Sequence, residues 1–208
     1  MGGLNDRRPS LATERLRLEP LTHDHTELLV DLDSDAEVLR FVFGRALGRE
    51  EVVTEHLPRR MRRDGPPRGI GYWAGFEDSG FVGWWALAVD DSDDTTAELG
   101  YRLRRDAGGR GLATEGSRSL LDHAFGTLAL PYVWGVTMAV NAGSRSVMTK
   151  LGMTHVRTDV EEWDDPLPGA ELGEVRYEIT REEWLSGVTT SAPAPPRRRA
   201  GGTSAGRA

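Results

Sequence analysis

Residues 69–104 constrain the fold more tightly than any other stretch. They hold three strand-like runs, Gly69–Glu77, Phe81–Val89 and Thr95–Arg104, divided only by Asp78-Ser79-Gly80 and by Asp90-Asp91-Ser92-Asp93-Asp94. Such short turns impose antiparallel pairing, because parallel neighbours need a crossover of about a dozen residues or more. The third run alternates, with Ala97, Leu99, Tyr101 and Leu103 on one face and Glu98, Gly100, Arg102 and Arg104 on the other. That period of two marks a strand whose faces meet different surroundings.

After the meander comes a glycine-rich loop, Ala107-Gly108-Gly109-Arg110-Gly111, and then a helix over about Leu112–Gly126 with Leu120, Leu121, Ala124 and Phe125 inward. Tyr132–Val140 reads as a strand, Asn141–Leu151 as a short helix, Thr154–Val160 and Val175–Thr180 as strands, and Glu182–Leu185 as a closing turn of helix. Upstream, Thr13–Glu19 reads as a first strand and Thr22 as the cap of a helix carrying Leu28, Leu29 and Leu32. Ser34-Asp-Ala-Glu37 has the capping-box pattern, and Arg49–Arg63 is a helix bent at Pro58 that ends at Asp64-Gly65-Pro66-Pro67. A meander followed by one β-loop-α-β crossover is an α+β fold with a mixed sheet. One domain over 10–187 is expected, with 188–208 too rich in Pro, Gly, Ala, Ser, Thr and Arg to order itself.

Charge narrows the partners. The 208 residues carry −7, and because 191–208 hold four Arg and no acid, positions 1–190 stand at −11. Such a body lacks the general phosphate-neutralising face of a duplex nucleic-acid binder. With no cysteine there is no disulfide framework, thiolate zinc site or Cys nucleophile. The longest apolar-looking stretch, Phe81–Val89, is far short of a membrane span, and the N-terminus has neither a signal-peptide apolar region nor a myristoylation pattern. A cytoplasmic protein is the expectation. Lys150 is the single lysine beside 25 Arg, so arginine abundance by itself says little about anion binding.

A glycine loop leading into a helix is an anion site, since the first helical N–H groups lack partners, the dipole is positive there and glycine lets a ligand approach the backbone. The P-loop pattern is absent. The dinucleotide pattern is half met, with Thr114 where its third glycine belongs, and the preceding strand is neither uniformly apolar nor the first of a parallel sheet.

The string AELGYRLRRDAGGRGLATEG, followed after a strand by NAGSRSVMTKLGM, resembles the GCN5-related N-acetyltransferases. With the opening TERLRLEPLT and the closing EVRYEITREEW, it is most similar to the branch of the ribosomal-protein alanine acetyltransferases. The resemblance implies a mixed, mostly antiparallel sheet of about seven strands with helices on both faces. It also implies acetyl-CoA as co-substrate. The pyrophosphate would then lie on the backbone of Gly109, Arg110, Gly111, Leu112, Ala113 and Thr114, and the pantetheine arm along Leu103, Arg104 and Arg105, as an added strand. The family's Gln or Arg at the start of the loop is Gly108 here, so Arg105 or Arg110 would have to compensate.

An amine with an ordinary, unperturbed pKa is protonated at pH 7 and cannot attack a thioester, so the enzyme needs a base and a way to release the thiolate. Glu98, on the strand bordering the co-substrate, is the candidate base; the alternative is a structural carboxylate. Alignment to the family places Met148 where many relatives carry a thiolate-protonating Tyr, and the branch resemblance offers Ser144 instead. Asn141 reads as the helix N-cap and, in relatives, also contacts the pantetheine arm; Lys150 is a candidate phosphate contact or a surface residue. His23, His25, His56, His123 and His155 show no metal-ligand spacing. Trp84, Trp85 and Trp134 read as core, with one of them and Phe41 an alternative wall for the acceptor. Asp159–Glu174 gathers seven acids and no base, a rim that would concentrate an ammonium-bearing substrate or a solvated loop. The expected activity is direct acetyl transfer to an amine-bearing acceptor, a small molecule or a protein N-terminus. A CoA-binding module without catalysis is the competing reading, and a homodimer stays open.

Overall fold

The computed structural model describes residues 8–61, 69–90 and 93–187. Eight strands are present: β1 Leu11–Ala12, β2 Arg17–Pro20, β3 Gly71–Glu77, β4 Gly80–Asp90, β5 Asp93–Leu103, β6 Tyr132–Met138, β7 Thr154–Asp159 and β8 Glu174–Thr180. They form one sheet in the order β1-β2-β3-β4-β5-β6-β8-β7. All neighbours run antiparallel except β5 and β6, which the crossover makes parallel. The eighth is β1, a two-residue strand ahead of the expected first run Thr13–Glu19, of which only residues 17–19 are strand. Thr13 N–H donates to Leu16 O at 2.8 Å, turning the chain between β1 and β2.

Helix α1 (Thr26–Asp33) covers one face of the sheet with α2 (Arg49–Glu51) and α3 (Leu57–Arg60). Their apolar partners are Leu21, Leu29, Leu32, Leu57, Tyr72, Ala74, Trp84 and Ala86. The other face carries α4 (Leu112–Asp122) and α5 (Ala142–Lys150), and α6 (Arg181–Ser186) closes the chain. Under α4 and α5 lies the larger core, running from Leu16 and Leu18 through Trp73, Trp85 and Leu99 to Tyr177 and Ile179. Trp84 and Trp85 thus serve opposite cores, as strand alternation requires.

Two helix boundaries differ from expectation for local reasons. Ser34 ends α1 instead of opening a helix, its hydroxyl donating to Asp31 O at 2.7 Å. The bend expected at Pro58 takes the form of a π turn over Val52–His56 between α2 and α3, with Leu57 N–H reaching back to Val52 O. Pro58 has no N–H for Thr54 O, and the wider turn absorbs that break. The turn at 64–67 and the tail from 188 lie outside the described residues.

Candidate active site

The parallel pair β5–β6 is registered only at Ala97↔Val133 and Glu98↔Trp134, and the strands then part. On its other edge β5 stays paired to β4 as far as Gly83↔Leu103, and Arg104 N–H donates to Val82 O at 2.9 Å. Antiparallel alternation therefore turns the peptide groups of Gly100, Arg102 and Arg104 toward β4, and those of Leu99, Tyr101 and Leu103 toward the gap. The result is a length of strand edge, open on the β6 side and ending at the glycine loop.

In that loop Gly109 and Gly111 hold φ of 71° and 83°, the left-handed region that glycine occupies without strain. A Cβ built on Gly109 would meet nothing within 4 Å, so ligand can approach the main chain there. The α4 ladder begins with Glu115 N–H donating to Gly111 O at 3.0 Å; the N–H groups of Leu112, Ala113 and Thr114 precede it and point out of the helix start. The neighbouring arginines spend their charge elsewhere. Arg110 is bidentate on Glu77 at 2.7 and 2.8 Å, Arg104 reaches Asp31 at 2.7 Å, and Arg105 lies 3.8 Å from Asp35. Arg102 turns under the sheet to Asp33. The loop thus offers backbone donors more than side-chain cations, and Arg105 is the most exposed of the four at 67%.

Several contacts hold this loop still. Glu115 accepts from Thr13 Oγ1, from Arg15 N–H and from Arg15 Nε, and Arg15 Nη1 donates to Arg110 O at 3.0 Å. Burial pushes the Glu115 carboxyl up, but these donors outweigh it and hold the group below its usual range. From beneath, Trp85 Nε1 donates to Ala113 O at 3.2 Å, and its ring lies where a side chain on Gly116 would have to go. Neither Arg15 nor Glu115 stands out in sequence, and Trp85 reads there only as core or acceptor wall; the tertiary contacts expose their role at the loop.

Glu98 and Ser144 come to opposite faces of the sheet. Glu98 is half-buried and lies in a row with Trp134 and Glu178 across β5, β6 and β8. Arg176 stacks 4.1 Å from the Trp134 ring and pairs with Glu178 at 2.6 Å. Trp134 is therefore half-exposed on the Glu98 face, whereas Trp84 and Trp85 are core. On the α5 side, Asn141 caps the helix, its Oδ1 accepting from Ser144 N–H at 3.2 Å while its Nδ2 donates to Thr137 Oγ1 at 3.0 Å. Ser144 Oγ lies 2.9 Å from Tyr101 Oη. Burial pushes that phenol up to about 12, against the smaller opposing effect of Ser144. Sequence alone does not single out Tyr101, because its alternation reads only as an inward strand residue. Met148 is buried in the core against Gly135. Lys150 is exposed on the last turn of α5, its carbonyl accepting from Arg118 at 3.1 Å.

The acidic loop is anchored at both ends of its span. Leu167 occupies the space beside Gly44, Val140 that beside Gly169, and Ala139 N–H donates to Gly173 O at 2.9 Å. Asp159 is spent on Arg157 at 2.7 Å, while Glu161, Glu162, Asp164, Asp165 and Glu171 are exposed.

A strand pair that opens beside a glycine loop and helix start agrees with the likeness to known proteins. The family model described as an acetyltransferase (GNAT) domain matches residues 15–154. The chain belongs to the GNAT acetyltransferase family. It is 43% identical over 185 residues to the FsC-acetyl coenzyme A-N(2)-transacetylase of Aspergillus fumigatus, covering 85% of this chain and 78% of that one. A solved acetyltransferase from T. thermophilus shares 26% identity at a TM-score of 0.67, over 85% of this chain and 92% of its own. RimL, a ribosomal L7/L12 α-N-protein acetyltransferase solved with coenzyme A, shares the fold at a TM-score of 0.68 and 16% identity, over 83% and 98%. This GNAT protein is an acetyl-CoA-dependent N-acetyltransferase. No described helix is long and apolar enough to cross a membrane.

Proposed function

We propose that acetyl-CoA lies in the gap between β5 and β6 and that a primary amine reaches it from the Glu98 face. The observation that carries this reading is the parting of β5 from β6 just beyond Glu98↔Trp134. The gap joins the carboxylate on one face to Ser144 with Tyr101 on the other. Pantetheine amides suit the edge at Leu103 and the chain beyond it at Arg105, with Arg104, whose N–H is spent on Val82 O, only flanking the arm, and the diphosphate suits the N–H groups of 109–114. Asn141 orders the α5 start beside the arm, and Lys150 contributes at most a distant charge.

The bound thioester supplies the acetyl group; the chain supplies proton management. Glu98 takes a proton from the ammonium, directly or through water, freeing the nitrogen lone pair. Ser144 donates a hydrogen bond toward the departing sulfur, and Tyr101 donates to Ser144 Oγ. Magnitudes decide whether either gives up its proton. Against a thiol near 8.5, a phenol near 12 would transfer uphill by about 5 kcal/mol. Tyr101 and Ser144 therefore stabilise the leaving group as donors, and solvent delivers the final proton.

The RimJ/RimL-like branch rests on the order of the motifs and on the opening and closing strings of the domain. The relative at 43% identity is named for transfer at an N(2) nitrogen, and a small-molecule amine is the proposed acceptor class. The five exposed acids of the 161–171 loop would draw such a cation toward the Glu98 face. Acetyl-CoA turnover on a panel of primary amines, followed by free thiol, tests the reading. Glu98→Gln is expected to lower kcat by about 10²-fold or more with acetyl-CoA affinity within about twofold of wild type. The deficit should shrink as pH approaches the amine's own pKa, and a uniform or absent deficit would remove Glu98 from the mechanism.

A further inference from the structure

Beneath α1 and α3, the Glu98 face holds a buried ion cluster to which the reaction scheme gives no part. Strand alternation puts Glu98, Gly100 and Arg102 of β5 on this face, beside Tyr72 of β3 and Trp84 of β4. Asp33 ends α1 with its side chain fully buried. Its Oδ1 accepts from Arg102 Nη1 at 2.5 Å, and its Oδ2 lies 2.8 Å from Nη2 of the equally buried Arg60. Both guanidinium groups lie over the Trp84 ring, at 5.4 Å for Arg60 and 5.2 Å for Arg102. The same indole covers Gly100, where a Cβ would meet its Cζ3 at 3.6 Å. The position between Glu98 and Arg102 is thus lined by a ring that screens charge far less than water does.

One hydroxyl senses the whole group. Burial pushes the Tyr72 phenol up, Arg60 and Arg102 oppose that, and Glu98 adds to it. The other charges around this face are matched locally. Burial first, and then Arg60, hold the His56 imidazole below its ordinary range, so it is neutral at pH 7. Arg104, next on this face of β5, is taken by Asp31 at 2.7 Å, and on β8 Arg176 pairs with Glu178 at 2.6 Å. Two arginines less Asp33 leave a single positive charge for Glu98 to answer, and with Glu98 ionised the cluster sums to zero.

We infer that Asp33 is a positioning residue that sets the proton affinity of Glu98 through Arg102 and Arg60. With Asp33 in place, Glu98 faces one net positive charge; without it, two. A carboxylate beside two such charges holds a proton weakly and makes a poor base, whereas beside one it stays ionised and still accepts. The consequence for turnover rests on Glu98 acting as the base, as proposed above; the consequence for the carboxyl itself does not.

Variants of opposite sign test this on the full chain. The Glu98 titration midpoint is read by carboxyl-carbon NMR on glutamate-labelled protein, its resonance assigned by loss in Glu98→Gln. The acid limb of kcat is read on an amine that turns over. Asp33→Asn keeps the side chain's shape and should move both readings down by about one pH unit. Arg60→Gln should move both up by about as much. The double variant restores the charge sum and should return both close to wild type. If Asp33→Asn alone does not fold, the step from Arg60→Gln to the double variant reads the same charge. Acetyl-CoA Kd should stay within about twofold throughout, as for sites that share no partners. An Asp33 with a structural role alone would alter stability and leave the midpoint in place. Unmoved midpoints, or shifts of one sign in both single variants, would overturn the inference. Opposite midpoint shifts beside an unmoved kcat limb would keep it and overturn the base reading of Glu98.

Discussion

Tyr101 shows how one residue's surroundings set its chemistry. Its phenol is buried against α5 and reaches Ser144 at 2.9 Å, so it stays protonated through the neutral range and serves as a fixed donor. Tyr101→Phe should lower kcat by roughly tenfold, the worth of one charge-assisted hydrogen bond, and leave the pH profile of Glu98 unmoved. Ser144→Ala should cost about the same, and the double variant little more, because both act through one hydroxyl; additive losses would separate them. The raised pKa also has a stability consequence with a definite sign. A phenol whose folded value lies above its unfolded value near 10 holds its proton more tightly when folded. Its contribution is complete below about pH 10 and is lost as pH climbs toward about 12, a span of about 3 kcal/mol. Tyr72, raised by its own burial, adds to the same alkaline limb. Urea unfolding from pH 8 to 11 should show the decline, shallower in Tyr101→Phe.

At the scale of elements, the start of α4 is a pinned device. Glu115, Arg15 and the Arg110 carbonyl link β1–β2, the loop and the helix, while Trp85 holds Ala113 from the core side. Glu115→Gln weakens the accepting side of that link, and the loop backbone should lose order before the fold does. The expected result is a several-fold rise in acetyl-CoA Kd with a stability loss of about 1 kcal/mol, read by calorimetry and by denaturant titration. Glu115 is held below its ordinary range in the folded chain, so its share of stability is present above the unfolded value and is lost as pH falls through the folded one. Gly111→Asp strikes the same element more directly, through a left-handed backbone at φ 83° and a like charge facing the proposed diphosphate position. Period-two alternation and turn length make β3, β4 and β5 legible from sequence, and the glycine spacing does so for the α4 start. The break between β1 and β2 is not legible there, because no pattern in the sequence marks the turn that Thr13 makes with Leu16 and that Glu115 braces from a hundred residues away. The π turn before Pro58 is likewise hidden, since a proline reports a disturbance and not its form.

At the scale of the molecule, the sheet is two antiparallel blocks, β1–β5 and β6–β8, joined edge to edge at only two registered residue pairs. The core beneath α4 and α5 spans both blocks, so side-chain packing carries the junction where main-chain bonding runs out. A ligand lying along the open edge adds to that junction contacts the free protein lacks. Acetyl-CoA should therefore stabilise the chain by about 3 kcal/mol at a hundredfold excess over Kd, raising Tm by roughly 5–10 °C for a chain of this size. ATP and NAD, which offer diphosphate but no pantetheine amides, should give far less. Hydrogen exchange resolves where the effect falls. Protection should concentrate at Leu99–Leu103, at Gly109–Thr114 and along β6 beyond Trp134, and leave the α1 face nearly unchanged. Uniform protection across β1–β4 would mean that the ligand stabilises by simple mass action on global unfolding, and the junction would have no special part in binding.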